Sequence, residues 1–286
     1  MVRILVIGDL HGQIPKINFK NVDCILAPGD FCSDDIKPLI FETVKQFREG
    51  KKMVYWYEKL GKVKSRKALN KSLKDGRKVL EYLDSFGIPV FVVPGNWDWA
   101  YGVGFPWDSF NINHFKENLI KGLKNVKSIH KKKKSFKGVD FIGFGLSNGN
   151  DYPQYKADRD LLGEKSLKRI AKRKEKSITS LSKLFEKSKQ TIIFLCHNVP
   201  FRTRLDKITD KKSPRCGQHF GSDIARDIID KFQPKLCIGG HMHEHFGKCK
   251  VGKTTVLNTG FGKKVNTLIE IDNNKIKTLE FYPKEY

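Results

Sequence analysis

Five short clusters in the chain carry residue types that could act together: Gly8-Asp9-Leu10-His11-Gly12, Gly29-Asp30, Gly95-Asn96-Trp97-Asp98, Cys196-His197-Asn198 and Gly239-Gly240-His241-Met242-His243. Taken singly, an Asp or His at the end of a strand is more often a cap or a satisfied polar residue than a ligand. Together they supply two carboxylates (Asp9, Asp30), one amide oxygen (Asn96) and four imidazoles (His11, His197, His241, His243). That is more than one metal ion needs. A mixed carboxylate, imidazole and amide set without thiolate suits Mn, Fe, Co or Zn, whereas Ca and Mg prefer oxygen alone. Two divalent ions sharing one carboxylate, ~3.5–4 Å apart, would clamp a phosphate and bring a water's pKa toward about 7, making hydroxide the nucleophile.

Elements able to gather these clusters are visible in the hydrophobic pattern. Residues 3–8, 22–27 and 88–93 are short β-branched runs ending in Gly or Pro-Gly, so they predict buried strands that stop at loops. Helical spacing predicts helices over 36–48 and 66–85. The later half repeats the alternation, with a strand over 191–196, a helix over 222–232 and a strand over 236–238. Short alternating runs around 255–257, 266–271 and 276–281 read as antiparallel edge strands. Strand–helix alternation of this kind predicts an α/β fold, in which polar residues at the carboxyl ends of several strands meet in one crevice.

Composition narrows the classes further. A chain of 286 residues, 39% hydrophobic, can bury a core without staples. Its apolar runs are too short for a membrane span or a signal-peptide core, which predicts a soluble, untargeted protein with no membrane partner. Six scattered cysteines without Cys-x-x-Cys spacing predict free thiols in the cytoplasm. Lys and Arg total 55 against 31 acids, a net +24 that raises the question of a polyanionic partner. The excess is concentrated. Residues 51–78 hold eleven bases and two acids, 116–137 nine and one, and 156–189 twelve and five. We read residues 1–286 as one domain with basic insertions near those three segments, which are solvated helix faces and loops or else a nucleic-acid surface.

The five clusters, in this order, resemble the pattern of the calcineurin-like metallophosphoesterases: D-x-H, GD, GN[H/C]-[D/E], an isolated H, and GH-x-H. The resemblance spans residues 1 to about 100 and about 190 to 262. It implies a four-layer α/β/β/α sandwich of two mixed sheets, with the metals at the carboxyl ends of the strands. It further implies that Asp9, His11 and His243 hold one divalent ion, that Asn96, His197 and His241 hold a second, and that Asp30 bridges them, with Mn favoured over Fe, Zn or Co. The stretches Gly143-Phe144-Gly145-Leu146-Ser147-Asn148 and Gly217-Gln218-His219-Phe220-Gly221-Ser222 are similar to the branch related to class III cyclic-nucleotide phosphodiesterases. A phosphoester substrate is implied, with nucleotides and nucleic acid among the candidates.

One departure bears on mechanism. Trp97 stands where many members have His, and an indole N–H cannot exchange a proton near neutral pH. Protonating a leaving oxygen contributes roughly 10²- to 10⁴-fold in rate. The expected substrates are therefore diesters or activated monoesters. Asn96, Trp97 and Asn148 are the candidate substrate contacts, and His219 is the candidate proton donor. Trp97, Trp99 and Tyr101 pack the loop or, alternatively, Trp97 or Trp99 stacks a substrate base. Asp98, without a His partner, is expected to be structural. Two other readings stay open: a nuclease or RNA-processing phosphodiesterase using the basic segments, and a catalytically weak binding scaffold on the same fold.

Overall fold

The computed structural model describes residues 1–100, 105–211, 213 and 215–282, so Tyr101 lies outside the described residues. In chain order the elements are β1 (Val2–Val6), β2 (Cys24–Ala27), α1 (Lys37–Arg48), α2 (Trp56–Asp84), β3 (Val90–Val92), β4 (Val126–Ser128), β5 (Lys133–Phe136), β6 (Val139–Phe144) and α3 (Lys156–Glu186). There follow β7 (Thr191–Asn198), α4 (Asp223–Phe232), β8 (Leu236–Gly240), β9 (Gly247–Val251), β10 (Thr254–Asn258), β11 (Asn266–Asp272) and β12 (Lys275–Tyr282). They form two six-stranded mixed sheets, ordered β12-β11-β1-β2-β3-β4 and β5-β6-β7-β8-β10-β9.

Alternation of side chains along the strands builds the layers. In β1, Ile4 and Val6 point between the sheets and pack with Phe141, Ile193, Leu195, Ile238 and Leu257 of the second sheet. Leu5 and the following Ile7 point the other way, against Leu69, Leu73 and Leu80 of α2. On the far side, Phe194, Cys196 and Cys237 pack beneath Leu181 and Phe185 of α3 and Ile224 and Ile228 of α4. The result is the α/β/β/α sandwich. Each fully buried aliphatic or aromatic side chain contributes roughly 1.5–3 kcal/mol, so the apolar layer between the sheets locks one set of strand ends against the other.

The structure lengthens and moves several expected elements. The helix expected at 66–85 begins at Trp56 and bends at Gly61 (φ 68°), and the basic run after residue 156 is helix α3, bent at Gly163. Both helices hide their apolar residues in a chain so rich in lysine that the periodicity is diluted. The tail does not form edge strands as a group. β10 lies parallel to β8, and β11 lies antiparallel to β1 between it and β12. Their two-sided burial comes from the partner sheet, which local alternation does not reveal. Among the described residues no helix is long and apolar enough to cross a membrane.

Candidate metal centre

β1 to β3 run parallel in one sheet, and β7 and β8 run parallel in the other. Their carboxyl ends bring all seven predicted ligands together. Asp9, His11 and His243 form one group and Asp30, His197 and His241 another, the candidate ligand atoms of each lying within 4.8 Å of one another. Asn96 joins the second group, its Oδ1 2.8 Å from His197 Nε2 and 2.9 Å from His241 Nδ1. Asp30 Oδ2 sits between the groups, 3.7 Å from His11 Nε2 and 3.5 Å from His197 Nε2.

The backbone is bent to achieve this. Asp9 (φ 50°), His11 (φ 45°), Asp30 (φ 56°) and His241 (φ 68°) all occupy the left-handed region. Each such residue costs of order 1–3 kcal/mol and persists only where its surroundings over-determine it. Here Asp9 N–H donates to the Gly29 carbonyl (3.0 Å) and His11 N–H to that of Asp30 (2.9 Å), tying the first two loops together. Two glycines make room: a Cβ on Gly240 would overlap the Asp9 carboxylate, and one on Gly95 would overlap Asp30.

Three of the candidate ligands are also aimed by backbone groups. The Pro28 carbonyl accepts from His197 Nδ1 at 2.9 Å, leaving the Nε2 lone pair for the centre. Trp97 N–H donates to Asp30 Oδ1 at 2.8 Å, and His241 N–H donates to Asp9 Oδ2 at 2.8 Å. The other Asp9 oxygen, Oδ1, is buried with no hydrogen-bond partner. Asp98, wholly buried, accepts from the N–H groups of Asp30 (2.9 Å), Phe31 (2.7 Å), Cys32 (3.1 Å) and Gly95 (2.7 Å), so its role is to clasp two ligand-bearing loops.

Electrostatics fit a cation. Burial, with the charge of His243, pushes His11 down to about 4, and burial, with His197, pushes His241 down to about 3. Both are neutral bases with free lone pairs at neutral pH. Burial, reinforced by the Asp98 and Asp9 carboxylates, pushes Asp30 well above the ordinary carboxylate range. Burial raises Asp9 too, but the neighbouring His243, His197 and His11 imidazoles outweigh it and hold Asp9 below its ordinary value. Crowded carboxylates, an unpartnered buried oxygen and converging imidazole nitrogens, 3.1 Å apart in the case of the His11 and His243 Nε2 atoms, form a donor set that divalent ions would satisfy.

The remaining predicted residues lie at or beyond the rim. Trp97 is half-buried against the α2 side of the first sheet. Trp99 is buried, its indole N–H donating to Ser72 Oγ at 3.1 Å, which rules it out as a platform for a base. Asn148 is exposed in the loop after β6. His219 belongs to neither group; buried Asp206 Oδ1 holds its Nδ1 at 2.7 Å, and about a third of its side chain is exposed. Two residues beyond His243, His245, which belongs to neither group, donates from Nε2 to the Lys207 carbonyl.

Beside the first group opens a cavity of about 390 Å³ lined by His11, Gln13, Asp34, His243, Glu244, Phe261 and Lys264. Sequence reasoning missed Asp34, whose Oδ2 lies 3.8 Å from His11 Nδ1, along with Phe261 and Lys264. Only the proximity of Asp34 to the Gly29-Asp30 cluster hinted at it. Nothing in the spacing marked the other two.

The profile of the calcineurin-like phosphoesterase family matches residues 2–245. Among curated proteins, none matches by sequence. One solved crystal structure superposes with a TM-score of 0.60 at 17% identity, covering 97% of this chain and 98% of that one. A dimetal phosphatase from Danio rerio superposes with a TM-score of 0.54 at 10% identity, covering 95% and 93%. These two likenesses agree on the fold. A third structure, TT1561 of Thermus thermophilus, gives 0.49 at 15% identity over 98% and 97%.

Proposed function

We propose, from the premise that the chain belongs to the calcineurin-like phosphoesterase family, that it is a dinuclear metal-dependent phosphoesterase acting on phosphodiesters or activated monoesters. The observation that carries this reading is Asp30 Oδ2, lying within 3.7 Å of imidazole nitrogens from both groups, where one carboxylate oxygen can serve two ions. Asp9, His11 and His243 would hold one ion, Asn96, His197 and His241 the other, and Asp30 both. When bound, such a pair neutralises charge on a phosphoester and acidifies the attacking water. Mn is favoured, and the likeness to a dimetal phosphatase supports the pairing.

The chain's own groups do the positioning. The Pro28 carbonyl and the Trp97 and His241 N–H groups fix the orientations of His197, Asp30 and Asp9. Trp97 offers no exchangeable proton beside the centre, so the leaving oxygen departs with help from water or from His219. That favours good leaving groups. The cavity beside the first group is lined by Asp34, Glu244 and Lys264, a mixed set that suits a small ester, and none of the three basic segments on which the nuclease reading depends lines it. Asp30 opposes the scaffold reading, because burial beside Asp98 and Asp9 disfavours its ionised form and bound cations would offset that cost. In the same reading the chain works in the cytoplasm, where thiols such as buried Cys196 and Cys237 stay reduced.

The test is hydrolysis of bis-(p-nitrophenyl) phosphate and of p-nitrophenyl phosphate with Mn²⁺, alongside metal content. Diester turnover, two ions per chain and a loss of at least 10²-fold in Asp30→Asn are expected. No activity on either ester across several metals, with Asp30→Asn indistinguishable from the parent, overturns the reading.

A further inference from the structure

A second cavity, of about 330 Å³, lies at the edge where β4 of one sheet approaches β5 of the other, and no residue of the metal centre lines it. Its rim carries Lys124, Lys127, Lys132, Lys133 and Lys134, and Phe91, Ile129 and Phe136 form an apolar floor. Lys133 is neutralised by Asp140 at 3.2 Å. Among the described residues, no carboxylate pairs with Lys124, Lys127, Lys132 or Lys134. Unpaired lysines also occur among the described residues of the other basic segments, Lys62, Lys64, Lys67 and Lys74 of α2 included, so what marks this edge is that its four line one concave surface.

Lysines often guard edge strands against unwanted pairing, and Lys127 and Lys134 stand on β4 and β5. Lys124 and Lys132 lie outside both strands, so edge protection does not account for them. Like charges gathered around a concave, half-apolar surface repel one another until an anion arrives. Lys131 is not part of this row: its Nζ turns to α3, donating to Ser177 Oγ at 3.1 Å. Four cations drawn from β4, β5 and the segments flanking them offer several anion positions on one surface, which suits the repeated phosphates of a polymer better than a single small anion.

We propose that this edge is a non-catalytic site for a nucleic-acid strand, with Lys124, Lys127, Lys132 and Lys134 taking successive backbone phosphates and the Phe136 floor taking an unstacked base. The site is independent of the metal centre, and its test does not depend on phosphoesterase activity. Anisotropy of a fluorescein-labelled single-stranded oligonucleotide is followed with the full chain in EDTA, across a series of KCl concentrations. Four phosphate contacts at about 0.7 each give a slope of log K against log salt near −3. The quadruple variant Lys124→Gln, Lys127→Gln, Lys132→Gln, Lys134→Gln should flatten most of that slope and weaken binding on the order of 100-fold at low salt. Arginine at the same four positions should restore both.

A charge-matched control carries Lys62→Gln, Lys64→Gln, Lys67→Gln and Lys74→Gln on exposed positions of α2, and it should bind like the parent. Thermal unfolding checks that each variant is folded. Equal losses in the two quadruple variants would mean diffuse attraction to net charge and overturn the proposal. So would a parent that does not bind, or a nucleoside triphosphate that displaces the oligonucleotide at equal phosphate concentration, since that identifies a small-anion site.

Discussion

Asp98→Asn is the most revealing single change, because the side chain is not itself a candidate ligand yet holds two of the loops that carry them. Its Oδ1 accepts from Phe31 and Cys32 N–H, and its Oδ2 accepts from Asp30 and Gly95 N–H. An amide has one oxygen and one NH₂, so in either orientation two backbone donors face another donor. Each lost bond to a buried charged acceptor is a difference of about 1.5–3 kcal/mol, which gives about 3–6 kcal/mol in all. The damage is also directional. The bonds join the loop that carries Asp30 to the loop that carries Asn96, so both groups should loosen, and metal affinity should fall about 10- to 100-fold, as for other supports of metal ligands. Urea unfolding of the metal-free protein reads the first effect, and titration with Mn²⁺ followed by calorimetry reads the second. A variant within 1 kcal/mol of the parent and with unchanged Mn²⁺ affinity would refute the clasp.

Trp97→His should place a protonatable group beside Asn96 and raise turnover of monoesters with poor leaving groups by up to about 10²-fold, while p-nitrophenyl diesters change little; equal gains on both, measured as kcat/KM, would show that proton donation is not what the chain lacks. His130 supplies a pH test away from the metal centre. Its Nδ1 accepts from Gly145 N–H at 2.9 Å, and burial, with the charges of Lys131 and Lys132, pushes it down to about 4. The unfolded chain protonates this His near 6.5 and the folded chain does not, so its contribution to stability is complete above about 6.5 and is lost as pH falls toward 4. The difference amounts to about 3 kcal/mol. His130→Asn keeps an acceptor for Gly145 and should flatten the decline in unfolding free energy over that window; an unchanged decline would count against the burial of a neutral imidazole.

The residues with donor atoms, and the strands they follow, were legible in the sequence because Asp9, Asp30, Asn96, His197 and His241 each close a short β-branched run, a local pattern. The same was true of the α/β class and of Asp98 as a structural carboxylate. Longer-range facts were not legible. That Trp99 is buried against Ser72, that β10 and β11 lie within the sheets, and that Asp34, Phe261 and Lys264 line the cavity beside His11 all depend on segments distant in the chain. Only the folded sandwich decided that Asp30 Oδ2 lies between two imidazole groups, because that distance is set by the apolar layer between the sheets. It also decided that Asp34, Glu244 and Lys264 stand beside the candidate metal centre, while four lysines of 116–137 with no carboxylate partner among the described residues line the β4–β5 edge. Charge can be counted along a chain, but its field depends on where the backbone carries it.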